Sequence, residues 1–324
     1  MSSIDTFRRF RGIAGSVAAL GLCLTACAPS TSANEVRYLP PPSLALVALV
    51  DPSAGRLSDE LSQLQEVIRT SATPGEAVVV MILQPSFAST YVVQSGDSLD
   101  KIAKAHDLSL SALEAANPQL GPLSGRNWRL IHPNERVLIP DGASQEALLL
   151  VSRAPVGPPP PMLIRIPPAP RNPTDFQRAQ YNHKVAADTA TNDARIAAWK
   201  DKAQAGVQLW QAQVADQLGK KAGSADPAAL RPDRQMLSAS LTAGVTTLQG
   251  LNGRRMLLLL GGGELGPGAL SPNSLQDVNV VIANLSDTKA AAAWTTAASG
   301  AGATSVKALD VALTRLQLTQ VVNH

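Results

Sequence analysis

The sequence predicts an α/β fold in which a parallel sheet with covering helices is interrupted by an inserted module of about fifty residues. Segments 44–50 and 77–83 are continuously apolar, as strands buried on both faces of a parallel sheet are. A helical pattern that starts at Ser58 separates them, which gives a β-α-β unit. Alternating helix and strand patterns resume only after residue 230. Neither half supplies a two-sided sheet alone, so we expect one sheet of about five strands.

The second half of the predicted sheet begins with a helix whose apolar face carries Leu237, Leu241 and Val245. Asp233 precedes this helix and Gly250 ends it, as expected for an N-cap and a helix stop. The elements that follow are predicted strands at 256–260, 278–285 and 305–309 and predicted helices at 286–298 and 311–322.

Between the two halves, residues 91–140 have the pattern of a small β-α-α-β unit. A short alternating strand begins at Tyr91, and Gly96 permits the turn into the first helix. Pro118 prevents the second helix from continuing, and an apolar strand at 137–139 closes the unit. A unit of this length buries only a small core.

This segment resembles the LysM family in the order of its constrained positions, which are Tyr91, Gly96-Asp97, Leu99, Ile102-Ala103, Leu113, Asn117-Pro118, Leu120 and Ile139-Pro140. The resemblance implies binding of glycans that contain N-acetylglucosamine, chiefly peptidoglycan or chitin. It places the glycan groove between two loops, and the implied contact residues are Gly96, Asp97, Ser98, Leu99, Asn117, Pro118, Gln119 and Leu120. We take the whole module to span 88–142.

One departure from the family is the long connection at 121–132 before the last strand, which carries Trp128. Trp128 either widens the sugar platform or fills a gap in the core. The alternative for the module as a whole is a LysM fold that no longer binds sugar.

The N-terminus has the features of an export signal. Arg8, Arg9 and Arg11 precede an apolar run from 13 to 24, which is short for a membrane span. The run ends in Leu-Thr-Ala before Cys27, which resembles a bacterial lipobox. We therefore expect a signal peptide at 1–26, a lipidated Cys27 and a tether at 27–42.

A lipidated Cys27 would place the protein in the cell envelope. Ala28 rather than Asp follows it, which favours the outer membrane, facing the periplasm, in a diderm bacterium. In a bacterium with one membrane we expect the outer face of the plasma membrane. The alternatives are an ordinary signal peptide or a signal anchor.

Cysteine content argues against a disulfide-stabilised protein, and charge argues against a nucleic-acid-binding protein. The sequence has two cysteines, Cys23 and Cys27, so the processed chain would have no internal disulfide. Removing the signal lowers the formal net charge from +3 to about +1. We therefore expect no nucleic-acid partner, although the sequence pI is about 9.0.

The segments at 43–87 and 227–324 together resemble a von Willebrand factor A domain or another Rossmann-like sheet. Asp51 and Ser53 match two positions of the cation motif Asp-x-Ser-x-Ser, whereas Gly55 replaces its last Ser. A hard cation needs several oxygen ligands, so Asp51 and Ser53 are weak candidates for a metal site.

A glycine pattern at 261–266 also satisfies G-x-G-x-x-G directly after a predicted strand. A dinucleotide site requires a helix to begin there, and Pro267 argues against one. We interpret the segment as a glycine-rich turn and expect no cofactor.

Two further pieces separate the module from the second half of the sheet. Residues 143–173 contain two proline clusters and are predicted to be a semi-rigid linker. Residues 174–222 are predicted to form one long Ala-rich helix whose apolar stripe comprises Ile196, Trp199, Ala203, Val207, Trp210, Val214 and Leu218. This stripe either packs on its own domain or forms a coiled coil or partner-docking arm.

The sequence contains few candidate catalytic residues. The four histidines, His106, His132, His183 and His324, lack metal-ligand spacing, and G-x-S-x-G is absent. Glu264 is the candidate catalytic acid for a glycan hydrolase, and the non-catalytic alternative is a solvated side chain. We expect a non-catalytic, lipid-anchored envelope protein that binds peptidoglycan and presents its α/β domain to a protein partner. The alternative is a cell-wall hydrolase or other envelope enzyme with its site in the α/β domain.

Overall fold

The computed structural model describes residues 34–51, 57–83, 89–140, 148–223, 233–261, 265–268, 270–285 and 287–310. Several predicted features lie outside these residues, namely the signal at 1–26, Cys27, Ser53, Glu264 and the last helix at 311–322. The described strands are β1 Glu35–Arg37, β2 Leu44–Val50, β3 Ala77–Ile82, β4 Thr90–Val92, β5 Arg136–Leu138, β6 Leu148–Arg153, β7 Met162–Ile164, β8 Arg254–Leu260, β9 Val278–Leu285 and β10 Ser305–Asp310. The described α-helices are α1 Leu57–Ser71, α2 Leu99–Ala105, α3 Leu110–Ala116, α4 Asp175–Gly223, α5 Arg234–Gln249 and α6 Thr288–Gly300.

A six-stranded sheet in the order β10-β9-β8-β2-β3-β6 joins the two halves of the chain. Strand β2 lies at its centre, where Leu46 pairs in parallel with Val78 of β3 and with Met256 of β8. Every neighbouring pair is parallel except β3 and β6, which run antiparallel. The prediction of a mixed α/β fold with a mainly parallel sheet is confirmed.

The sixth strand corrects the interpretation of 143–173 as a linker. Leu148–Arg153 forms the antiparallel edge strand β6, where Val151 pairs with Val79. The prolines that follow this short apolar run led to the prediction of a linker. Farther along, β7 pairs with β1 as a separate two-stranded ribbon, with Leu163 opposite Val36. The proline-rich stretch between β6 and β7 contacts α4: Trp199 Nε1 donates a hydrogen bond to Pro158 O at 2.8 Å.

Helices cover both faces of the sheet, as the alternation of side chains along each strand requires. Val47 and Leu49 of β2 face the core layer that contains α5 and α6, in which Trp294 is 1% exposed. Leu46 and Val50 face the layer that contains α1 and α4. Both layers are apolar, which explains why the central strands read as continuous hydrophobic runs.

The long helix α4 packs on its own domain through the C-terminal part of its apolar stripe. Val207, Trp210 and Leu218 belong to the core layer that includes α1. Gln211 Nε2 donates to Ile68 O at 3.0 Å and to Arg69 O at 2.9 Å, which satisfies carbonyls at the end of α1. Trp210 Nε1 donates to Ser152 Oγ of β6 at 2.7 Å. None of the helices described is both long and apolar enough to span a membrane.

Residues 91–140 dock against the sheet domain. Leu123 and Leu138 belong to the same core layer as α5. Arg153 Nη1 of β6 donates to Leu123 O at 3.1 Å. The small module is therefore tied to the α/β domain by apolar packing and by a hydrogen bond to the edge strand.

Glu76 is a buried carboxyl group directly before β3. Glu76 is 0% exposed, and the Thr73 amide donates a hydrogen bond to Glu76 Oε2 at 2.9 Å. Burial raises the pKa of Glu76 from 4.5 to about 7, although the Thr73 amide and the positive charge of Arg254 act in the opposite direction. Because this pKa is higher in the folded protein, the carboxyl group destabilises the fold as it ionises with rising pH.

We expect Glu76→Gln to become more stable relative to the wild type as the pH rises from about 4.5 to about 7. The amide oxygen can still accept from Thr73, and no charge has to be buried. The difference in the free energy of unfolding should grow by up to about 3 kcal/mol and stay constant at higher pH. Urea unfolding at several pH values measures it. Glu66→Gln is the control, at a partly exposed carboxyl group of α1 that pairs with Arg69. A Glu76→Gln difference that does not change with pH contradicts the assignment.

Candidate functional site

The segment at 91–140 folds as the predicted β-α-α-β unit. Tyr91 of β4 pairs antiparallel with Val137 of β5, and α2 and α3 lie between these strands in the chain. Its small core contains Val93, Leu99, Ile102, Ala103, Leu113, Leu120, Val137 and Ile139. Two 3-10 turns, Pro118–Leu120 and Pro122–Ser124, follow α3.

Asp97 holds the loop between β4 and α2 in place. Its Oδ2 accepts hydrogen bonds from the Gln94 amide at 2.7 Å and from the Tyr91 hydroxyl at 2.9 Å. The Gln94 amide and then the Tyr91 hydroxyl lower the pKa of Asp97, while the bond to Asp97 raises the pKa of Tyr91. Asp97 is therefore a carboxylate at neutral pH, and it organises the loop.

Gly96 and Ser98 are exposed, as are Gln94 and Ser95 of the same loop. Gly96 has φ +89°, and a Cβ there would meet no described atom within 4 Å. Ser98 caps α2, because its Oγ accepts from the Lys101 amide at 3.3 Å. Leu99 is 4% exposed and belongs to the core. The first loop thus offers open space at Gly96 beside a fixed backbone.

The second predicted loop is buried. Asn117 is 0% exposed, and its Nδ2 donates to Leu113 O at 2.8 Å and to Leu138 O at 2.7 Å. Its Oδ1 accepts from the Leu138 amide at 2.7 Å. Asn117 therefore joins the end of α3 to β5, and these bonds use both ends of its amide.

The adjoining residues are also buried. Gln119 is 1% exposed and lies over Gly250 at the end of α5, where an added Cβ would be 2.5 Å from Gln119 Cγ. Pro118 and Leu120 are buried in the same turn. Of the eight residues implied by the resemblance, Gly96, Asp97 and Ser98 remain accessible at least in part, whereas Leu99 and the 117–120 turn are buried.

The long connection at 121–132 is well anchored. Arg126 forms a two-pronged ion pair with Glu135, at 2.6 Å and 3.1 Å. Burial alone would raise the pKa of Glu135, but the Arg126 guanidinium and the His132 amide lower it. The Trp128 ring lies against Gly121, where a Cβ would be 2.3 Å from the ring. Trp128 packs on the small core and stays half-buried, so one part of its ring remains accessible.

Residues 91–140 match the LysM domain family. This match supports binding of peptidoglycan or other N-acetylglucosamine glycans by the LysM domain. Comparison with curated proteins and with solved structures found no significant match to the chain.

A second polar region lies at the carboxyl ends of β2 and β8. The Asp51 amide donates to Leu260 O and to Glu60 Oε2, both at 3.0 Å. Gly261 has φ +78°, and a Cβ there would be 2.6 Å from Asp51 Cβ. The structure thus places Asp51 beside Gly261, whereas Ser53 and Glu264 lie outside the described residues.

The described residues give the other predicted motifs no further support. They contain no cluster of three His, Cys, Asp or Glu side chains that could hold a metal ion. Residues 266–268, in the described part of the glycine-rich segment, are irregular and do not begin a helix.

We expect Asn117→Ala to destabilise the LysM domain by about 2–3 kcal/mol, since it leaves buried backbone groups of Leu113 and Leu138 without partners. Ser98→Ala, which removes an exposed helix cap, should cost about 1 kcal/mol. Thermal unfolding of the two variants measures the difference. Equal stability of Asn117→Ala and the wild type would show that Asn117 is free to serve as a ligand contact instead.

Proposed function

We propose that the protein is a lipid-anchored, non-catalytic component of the cell envelope. In this proposal the LysM domain binds peptidoglycan or a related N-acetylglucosamine glycan, and the α/β domain is presented to a protein partner. The observation that carries the proposal is the LysM match together with the accessible, Asp97-organised loop at 94–98.

The loop suits a neutral amide sugar. Such a ligand needs a shallow surface with backbone donors and acceptors and small apolar contacts, and it requires no formal charge. Gly96 leaves room for a sugar ring to approach the backbone, and Asp97 fixes that backbone by accepting a hydrogen bond from the Gln94 amide. Because the 117–120 turn is buried, we assign most of the glycan contact to the 94–98 loop.

We expect Gly96→Asn to lower binding to insoluble peptidoglycan at least tenfold, since the new side chain fills the space that the sugar would occupy. Asn tolerates positive φ better than other residues with side chains, so the loop should keep its shape. Gly268→Asn is the matched control, because Gly268 also has positive φ and open surroundings among the described residues. Co-sedimentation measures the effect, and equal retention of both variants would remove the 94–98 loop from the proposed site.

An anchor would strengthen a single weak glycan-binding domain. Tethering next to the cell wall raises the effective ligand concentration to the order of mM, so modest intrinsic affinity suffices. Three acyl chains on Cys27 would hold far more firmly than one, at about 0.8 kcal/mol for each buried methylene.

We expect Cys27→Ser to leave an unprocessed precursor and to abolish metabolic labelling with palmitate. Cys23→Ser is the control within the same apolar segment and should label normally. Labelling of the Cys27→Ser protein at the wild-type level would contradict the anchor.

The strand order supports the resemblance of the host domain to Rossmann-like and von Willebrand factor A-like sheets. Numbered within the sheet, the strands follow the order 3-2-1-4-5-6, the doubly wound order. Its third strand is the antiparallel edge β6. Domains with this order bind ligands at the carboxyl edge between strands 1 and 4, which here is the edge at Asp51 and Gly261. We propose this edge as the region that meets the protein partner.

The alternative function is a cell-wall hydrolase, and one observation favours it. The carboxyl groups of Asp51 and Glu60 are both buried at that same edge, close to Gly261. Zymography of the purified protein on peptidoglycan distinguishes the two: a non-catalytic protein leaves no cleared zone.

A further inference from the structure

A groove of ≈ 670 Å³ lies between the LysM domain and the edge of the sheet. Ser111, Glu114 and Trp128 of the LysM domain line one wall, and Val151, Ser152 and Arg153 of β6 line the other. The groove is separate from the 94–98 loop, and it exists because the LysM domain docks beside an edge strand.

Strand β6 is an edge strand of the sheet where it borders this groove. It is the last strand of the sheet and pairs with β3 on one side. An edge strand presents its remaining N–H and C=O groups outward, where an extended peptide can add to the sheet. Val151 is 41% exposed on this strand. Three lining residues of a strand span about 10 Å, the length of roughly three residues of an extended peptide.

The two walls carry opposite charges. Glu114 lies on α3 and Arg153 on β6, and within the described part of the chain no ion pair involves either residue. Arg153 Nη1 donates to Leu123 O at 3.1 Å, whereas its buried Nε has no partner. A guanidinium with spare donors suits a carboxylate, and a nearby carboxylate suits an amine.

Trp128 adds an apolar surface to the same groove. Its ring is held against Gly121 and remains half-buried, so it can cover the aliphatic part of a bound side chain without being reoriented. The groove therefore suits a short extended peptide that carries both a carboxylate and an amine.

We propose that this groove binds the stem peptide of peptidoglycan, with a stem carboxylate at Arg153 and the side-chain amine of its diamino acid at Glu114. The inference rests on the proposed function, because the stem is covalently attached to the glycan that the LysM domain would bind. The glycan brings the stem beside the groove, and the groove then distinguishes peptidoglycan from chitin, which has no peptide.

The test compares three soluble ligands by isothermal titration calorimetry: a disaccharide-tetrapeptide from peptidoglycan, the same disaccharide without its peptide, and a chitin tetrasaccharide. We expect the peptide to increase affinity about tenfold for the wild type. Glu114→Gln and Arg153→Gln should remove that increase and leave affinity for the two peptide-free glycans unchanged. Arg178→Gln on α4 is the control, because it removes an exposed arginine that does not line the groove.

A further variant covers the case in which Arg153→Gln loosens domain docking through Leu123. Val151→Glu removes no side-chain hydrogen bond and places a negative charge beside the expected carboxylate, so it should abolish the same increase. Equal wild-type affinity for the disaccharide with and without its peptide overturns the inference, while the glycan-binding function stands.

Loss of all glycan binding would instead overturn the proposed function. Binding of the free tetrapeptide then tests the groove separately. Tetrapeptide binding that Val151→Glu and Glu114→Gln both weaken supports the stem-peptide site. Tetrapeptide binding that neither variant changes, or no tetrapeptide binding, overturns the site.

Discussion

The fold depends on the burial of one strand. Every residue of β2 is at most 4% exposed, and the strand pairs with β3 on one side and with β8 on the other. Because β3 precedes the LysM domain in the chain and β8 follows α4, β2 joins the two halves of the sheet. Long connections between such strands cost little, since each doubling of loop length adds only about 0.6 kcal/mol of closure entropy. An inserted domain and a helix of 49 residues are therefore compatible with one sheet.

The position of the LysM domain determines which of its surfaces can meet a ligand. Docking on α5 places Gln119 against Gly250, which allows this close approach because it has no side chain, while Asn117 and Leu120 are buried within the LysM domain itself. The same docking brings Trp128 and Glu114 opposite the edge strand β6. The docked LysM domain thus keeps its 94–98 loop accessible and forms another groove beside β6.

Two acidic residues show how environment sets the role of a carboxyl group. Asp97 lies at the surface and accepts two hydrogen bonds, which lower its pKa and keep it ionised where it fixes the 94–98 loop. Glu76 is buried directly before β3, and burial raises its pKa to about 7. The first therefore stabilises the fold above its pKa, whereas the second destabilises it there.

The sequence by itself determined the elements whose signals are local. Continuous apolar runs identified β2, β3 and β8, Asp233 and Gly250 marked the ends of α5, and spaced motif residues identified the LysM domain. Contacts between distant segments were decided only by the tertiary structure. Leu148–Arg153 became an edge strand because β3 was available to pair with it, and Asn117 became a buried link because β5 returned beside α3. Local patterns fix backbone conformation, but exposure and charge environment depend on which surface packs against which, and that is a property of the whole fold.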